Sequence, residues 1–113
     1  MRKFFMAVGL IAALAIPVAA TAAELSNGSG QTCSGGAVGT WHFVNNQTGG
    51  AAAGTLTATF STPTGTFTVG PTAVNSKTQH FYVFATGTLA TATTNLPGRL
   101  LLSDFTCDHT PKK

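Results

Sequence analysis

The chain has few charged residues. Its 113 residues include six Lys or Arg and three Asp or Glu, and two of the cations, Arg2 and Lys3, lie in a leader that we expect to be removed. The remaining four cations and three acids leave a formal charge of +1: Lys77, Arg99, Lys112, Lys113, Glu24, Asp104 and Asp108. Nucleic-acid binding by a charged face requires clustered Lys and Arg to neutralise phosphates. The mature chain has no such cluster, so we expect no nucleic-acid partner.

The shortage of acids also limits catalysis. Paired-carboxylate hydrolysis needs two acids held across a substrate, and one of the three acids, Glu24, precedes the domain. A triad of Ser103, His80 and Asp104 can be drawn, but adjacent residues of a strand point to opposite faces. The chain has no Gly-x-Ser-x-Gly motif. We therefore predict that the protein is not an enzyme.

The chain contains two cysteines, Cys33 and Cys107. In an exported protein such a pair most simply forms a disulfide, and closing a loop of this length contributes about 4 kcal/mol in the chain-entropy model. Two unpaired thiols are the alternative. We expect the bridge to join the first and last strands.

Metal ligands are equally scarce. Both methionines lie in the leader, which leaves His42, His80 and His109, whereas a structural zinc site takes four ligands. We predict no metal site and no cofactor. The remaining alternative is that His42 and His80 meet on adjacent strands.

The N-terminus has the pattern of a signal peptide. Basic MRKFF is followed by an apolar run of about fifteen residues and by Ala20-Thr21-Ala22, and the run is shorter than the roughly 20 residues of a membrane span. We predict a signal helix over residues 1–23, cleaved after Ala22 or Ala23. The product is then secreted, periplasmic or at the cell surface, without a stable membrane span.

The rest of the chain is of a size for one domain. Residues 24–32 are rich in Gly, Ser and Asn and are predicted to be a flexible leader. Residues 33–108 form the predicted domain, and residues 109–113, HTPKK, a disordered tail.

Helix signals are almost absent between the cysteines, and strand signals are frequent. Alternation of Thr with apolar residues, bounded by Gly, Pro and Asn, predicts six strands, or seven if residues 72–74 pair. The six lie at residues 39–44, 55–60, 66–69, 80–85, 88–93 and 99–107. The pattern predicts an all-β fold, a small antiparallel β-sandwich of immunoglobulin-like type. The order Cys33, Trp41, Cys107 lacks the spacing of antibody domains, so no family is assigned.

The last strand contains RLLLSDFTC. Strict alternation predicts Leu101, Ser103, Phe105 and Cys107 on one face, and Leu100, Leu102 and Asp104 on the other.

Two His-Phe segments, TWHF at residues 40–43 and TQHF at 78–81, are each followed by a Thr-faced strand. This similarity is either a duplication of one hairpin or, in a chain rich in Thr, Ala and Gly, a chance resemblance.

If Phe43 and Phe81 point inward, Trp41 shares the inner face and is expected in the core. His42, His80 and Tyr82 then lie on the outer face and are the candidate ligand-binding residues, since aromatic rings with a polar edge stack on sugars.

The predicted surface is otherwise a set of threonine rows with little charge to block edge-to-edge pairing of strands. We therefore expect a non-catalytic structural or protein-interaction module that joins other proteins, or its own copies, through strand edges. The alternative is a small carbohydrate-type binding module that uses the outward aromatic and His face. The threonine rows also suggest ice binding, for which they are too short and interrupted.

Overall fold

The computed structural model of the protein describes residues 22–107. Nearly all of the predicted signal peptide lies outside this range, as do the predicted tail and His109. Within the described range there is no helix, and therefore no helix that is long and apolar enough to cross a membrane. The prediction of an all-β fold is confirmed.

Nine strands form in this range: β1 (Ala23–Glu24), β2 (Thr32–Cys33), β3 (Gly39–Asn46), β4 (Leu56–Ser61), β5 (Gly65–Val69), β6 (Ala73–Val74), β7 (Thr78–Ala85), β8 (Gly87–Thr94) and β9 (Arg99–Cys107). Six of them are longer than two residues, and each overlaps one of the six strands that the alternation predicts. The short β6 is the optional seventh strand. The two strands that the sequence did not predict, β1 and β2, precede the predicted domain or span its first residue.

The strands form two sheets in which every strand pair is antiparallel. The first sheet has the order β1-β8-β4-β5, with β2 also pairing with β8, and the second has the order β6-β7-β3-β9. The apolar face of each sheet packs against the other, as in a β-sandwich. The strand that carries His80, β7, is an interior strand of the second sheet, because it lies between β6 and β3.

Alternation along the strands builds the core. In β3 and β4 every second residue is buried and the residues between are half-buried. Trp41 is completely buried, as predicted. Its Nε1 donates a 2.9 Å hydrogen bond to the Ala85 carbonyl, and its ring stacks on Phe105 at 4.5 Å.

The predicted facing of β9 is wrong in its second half because the strand contains a β-bulge. Phe43 pairs with Leu102, but His42 pairs with Asp104, so that Ser103 is an extra residue. Leu100 and Leu102 are both buried, as expected for residues on one face. Asp104, predicted on the same face as these leucines, is exposed, and Phe105, predicted on the other face, packs against the core. The bulge therefore exchanges the faces of the residues that follow it.

Residues 24–32, which we predicted as a flexible leader, lie along one side of the sandwich. The Leu25 amide donates to the Ala92 carbonyl of the first sheet, and the Ser26 amide donates to the Leu100 carbonyl of the second. Asn27 accepts a hydrogen bond from the Leu102 amide at 2.8 Å. The segment differs from the prediction because its polar side chains bond to the main chain of β8 and β9.

A disulfide joins the two sheets on the side of the sandwich along which residues 24–32 lie. Cys33 of β2 is bonded to Cys107 at the end of β9, with a Cα–Cα distance of 5.3 Å. The predicted pairing is confirmed. A Cβ atom on Gly39 would lie 2.5 Å from Cys33 Sγ and 2.7 Å from Trp41 Nε1, so only glycine fits between the bridge and the indole.

Two buried amide side chains support the loops at one end of the sandwich. Gln79 accepts from the Gly54 amide at 2.9 Å and donates to the Ala51 and Ala52 carbonyls. Asn45 accepts from the Thr94 hydroxyl at 2.6 Å and donates to the Pro97 carbonyl. Both amides are on inward-facing positions, and their hydrogen bonds compensate for their burial.

Candidate ligand-binding face

The outer face of the second sheet brings together the three residues predicted for ligand binding. His42 lies on β3, whose inward positions are filled by Trp41 and Phe43. His80 and Tyr82 lie on the adjacent β7, where Phe81 and Val83 point inward. Because alternate residues of a strand share a face, burial of these neighbours places both His residues and Tyr82 on the outer face.

The strand register determines which of these side chains touch. His42 lies directly opposite Tyr82 on β7 and opposite Asp104 on β9. Val44 lies opposite His80, so His80 is a diagonal neighbour of His42. His42 is therefore the centre of the group, with contacts to both flanking strands.

A chain of polar contacts runs across the face through His42. Its Nδ1 lies 3.3 Å from Asp104 Oδ2, and its Nε2 lies 2.9 Å from His80 Nδ1. A carboxylate only accepts hydrogen bonds, so the Nδ1 of His42 carries the proton in this arrangement. With both His residues neutral, His80 Nδ1–H donates to the lone pair of His42 Nε2. The lone pair of His80 Nε2 takes no part in these contacts.

Ring stacking supports the same arrangement. The rings of His42 and Tyr82 are parallel within 2° with centroids 4.4 Å apart. Tyr82 is 37% exposed, and Phe84, two residues further along β7, is 63% exposed. The face therefore presents aromatic surface beside a polar chain, the combination that small-ligand sites use.

Asp104 is the member of this group that was not predicted from the sequence. Strict alternation along β9 predicts Asp104 on the same face as Leu100 and Leu102, which are buried. A signal was present in the sequence: the apolar positions Leu102 and Phe105 are three residues apart, whereas an unbroken strand repeats every two. That odd spacing indicates one extra residue between them.

A metal site with three or more protein ligands is not present among residues 22–107, where no such group of His, Cys, Asp or Glu side chains forms. His42 and His80 bring two imidazole nitrogens together, and Asp104 reaches the other nitrogen of His42.

A second candidate surface is the edge of the first sheet at β5. In the described part of the chain β5 pairs with β4 alone. Its sequence GTFTV has no charged residue, and Phe67 and Val69 are half-buried against the core. The edge thus combines unpaired main-chain groups with partly covered apolar side chains.

An open depression of about 370 Å³ lies on the opposite side, beside β8. It is lined by Glu24, Leu25, Ser29 and residues 90–93, and Glu24 is its one ionisable side chain. It shares no residue with the His42 face, and its lining supplies little chemistry for a ligand.

Comparison of the chain with models of protein families, with curated proteins and with solved structures finds no match.

Proposed function

We propose that the protein is an exported, non-catalytic structural or protein-interaction module with an immunoglobulin-like sandwich. The observation that carries this proposal is the uncharged edge of β5, which has no partner strand beyond β4 within residues 22–107. Strand addition at such an edge supplies main-chain hydrogen bonds, and the alternating side chains supply specificity.

The two sides of the sandwich differ in a way that supports this proposal. On the side of β8 and β9, residues 23–33 contribute β1, β2 and the bonds to Leu100 and Leu102. On the other side, β5 ends the first sheet and the two-residue β6 ends the second. Edge pairing is therefore directed to one side of the molecule, at β5.

The partner that we propose for β5 is the β5 strand of a second copy. The strand has no charge to repel an identical strand, and pairing would cover the exposed flanks of Phe67 and Val69 in both copies. The interface is then isologous, so it closes at a dimer.

Export and the immunoglobulin-like character are part of the proposal. The basic, apolar and small-residue order of residues 1–23 supports export, and the Cys33–Cys107 bridge is typical of oxidising compartments. The buried Trp41 beside the bridge in a two-sheet sandwich supports the immunoglobulin-like type.

Gel filtration of the mature protein over a concentration series tests strand addition. We expect a shift from monomer to dimer with concentration, and loss of the dimer in Thr68→Lys, because a charged side chain on an edge strand opposes pairing. Thr91→Lys is the matched control, since Thr91 is also exposed but lies on the interior strand β8. A monomer at every concentration contradicts pairing between copies.

A second candidate function is ligand binding at the His42 face. It is favoured by the convergence of His42, His80 and Tyr82 beside the exposed Phe84. The ligand class that fits is carbohydrate, which stacks on aromatic rings and bonds to polar edges. An NMR titration with oligosaccharides should shift His42 and Tyr82 signals, and Tyr82→Ala should abolish the shifts while Val74→Ala, an exposed apolar change on β6, should not.

A further inference from the structure

We propose that His42 and His80 bind a divalent late transition metal ion, copper(II) more tightly than zinc(II). The ligand atoms are His42 Nε2 and His80 Nδ1, and Asp104 positions His42 from its other nitrogen. The inference goes beyond strand addition at β5 and uses none of the residues of that edge.

The distance between the two nitrogens fits two adjacent ligands of one metal ion. They lie 2.9 Å apart, and two imidazole nitrogens at metal distances of about 2.0–2.1 Å are about 2.9 Å apart when the angle at the metal is near 90°. Copper(II) prefers this tetragonal angle, and it binds imidazole more tightly than the other divalent first-row ions do. Binding requires the two rings to turn so that both lone pairs point to a common centre.

The proton positions are compatible with metal binding. Because His42 Nδ1–H donates to Asp104, the His42 Nε2 atom holds a lone pair. When the metal binds, His80 moves its proton from Nδ1 to Nε2, and the Nδ1 lone pair that this frees becomes the second ligand. The metal thus replaces the hydrogen bond between the rings, and no group needs an unusual charge state.

Asp104 makes the pair more than a chance approach of two rings. A histidine that binds a metal commonly donates its other N–H to a carboxylate, which fixes the tautomer and orients the ring. The side chain of His42 is 14% exposed, and Tyr82 stacks on its ring at 4.4 Å. His42, at the centre of the face, is therefore contacted on two sides, by Asp104 and by Tyr82.

The surroundings of the pair suit a cation. Along the outer positions of β3, β7 and β9, Asp104 is the one acidic group and Arg99 the one basic group, and Arg99 lies opposite Asn46 at the far end of the strand. The described residues offer the metal two imidazoles and no cluster of three ligating side chains. Water molecules therefore complete the coordination.

The test is a copper(II) titration of the full exported chain with its disulfide formed, followed by calorimetry and by electron paramagnetic resonance. We expect one saturable site with hyperfine coupling to two imidazole nitrogens. His42→Gln and His80→Gln should each lower the affinity at least tenfold and remove one nitrogen from the coupling. His109→Gln is the matched control, because it removes the third histidine of the chain, and it should leave affinity and spectrum unchanged.

Asp104→Asn separates positioning from folding. Asp104 is exposed, so the variant should unfold at the wild-type urea concentration, yet bind copper about 10-fold to 100-fold more weakly because the orienting carboxylate is lost. Absence of a one-to-one site, wild-type affinity in either His variant, or loss of binding in His109→Gln overturns the proposal. Gel filtration of the same samples measures the oligomeric state, and therefore β5 pairing, independently of copper binding. Failure of either proposal thus leaves the other in place.

Discussion

At the scale of single residues, the side chain of Gln79 holds the loop of residues 51–54 in place. Three main-chain groups of residues 51–54 bond to its amide, and the side chain is fully buried. Leucine has a similar volume but no amide. Unpaired buried polar groups cost about 1–3 kcal/mol each, so the loop depends on this one residue.

We therefore expect Gln79→Leu to lower the free energy of unfolding by about 2–4 kcal/mol. Urea denaturation followed by Trp41 fluorescence measures it. Gln31→Leu is the control, since Gln31 is exposed and its two hydrogen bonds are made by its main chain. Equal stability of the two variants contradicts this role of the amide.

Two glycines with nearly equal positive φ angles separate conformational strain from steric contact. Gly98 has φ 97° and Gly30 has φ 96°. A Cβ atom at Gly98 would overlap the Asn46 carbonyl oxygen and lie 2.6 Å from that of Gln47, whereas at Gly30 nothing lies within 4 Å. Both alanine variants bear the backbone cost, and only one also displaces its neighbours.

We expect Gly30→Ala to cost about 1–2 kcal/mol of stability, from the positive φ alone. Gly98→Ala should cost about 1–3 kcal/mol more, because the turn after β3 must move. Thermal unfolding of both variants measures the difference. Similar losses would show that the contact with residues 46 and 47 relaxes freely.

At the scale of whole strands, the bulge in β9 sets which side chains reach each face. Phe43 pairs with Leu102, and His42 pairs with Asp104. Removing the extra Ser103 would join these two registers directly, with Leu102 inward, Asp104 outward and Phe105 inward, as they are now. Removing Leu101 instead would turn Leu100 out of the core.

We expect deletion of Ser103 to change the stability by about 1 kcal/mol or less, because the deleted side chain is exposed and the registers are kept. Deletion of Leu101 should cost about 3–5 kcal/mol, through the cavity that Leu100 leaves. Urea unfolding and the near-ultraviolet circular dichroism of Trp41 measure both. Equal destabilisation by the two deletions contradicts the assigned bulge position.

At the scale of the molecule, the disulfide links the two sheets across 74 residues of sequence. A cross-link stabilises mainly by restricting the unfolded chain, and a loop of this length contributes about 4 kcal/mol in that account. The bridge joins β2, which has two residues, to the end of β9, so it also holds the N-terminal segment against the domain.

Replacing both cysteines, Cys33→Ala with Cys107→Ala, should therefore lower the free energy of unfolding by about 4 kcal/mol. Wild-type protein with its disulfide reduced is the control, because it lacks the cross-link but keeps both side chains. The two forms should unfold at similar urea concentrations. A double variant as stable as the oxidised protein would rule out this contribution.

Local patterns in the sequence were sufficient for the strands and for the inner residues of most of them. Leu56, Ala58 and Phe60 alternate with Thr along β4 and are all buried, and the same period of two puts Trp41 on the inner face with Phe43. This succeeds because the face of a residue within a regular strand depends only on the parity of its position. The same parity identified His42, His80 and Tyr82 as outward residues, and composition alone indicated the disulfide.

Only the tertiary structure decided which outward residues meet and where the N-terminal segment lies. Asp104 reaches His42 because β9 contains one extra residue relative to β3, and residues 23–33 are ordered by main-chain groups of β8 and β9. Both depend on a partner strand distant in sequence. Parity within one strand carries no information about that partner's register, and therefore the polar chain from Asp104 through His42 to His80 exists only in the folded molecule.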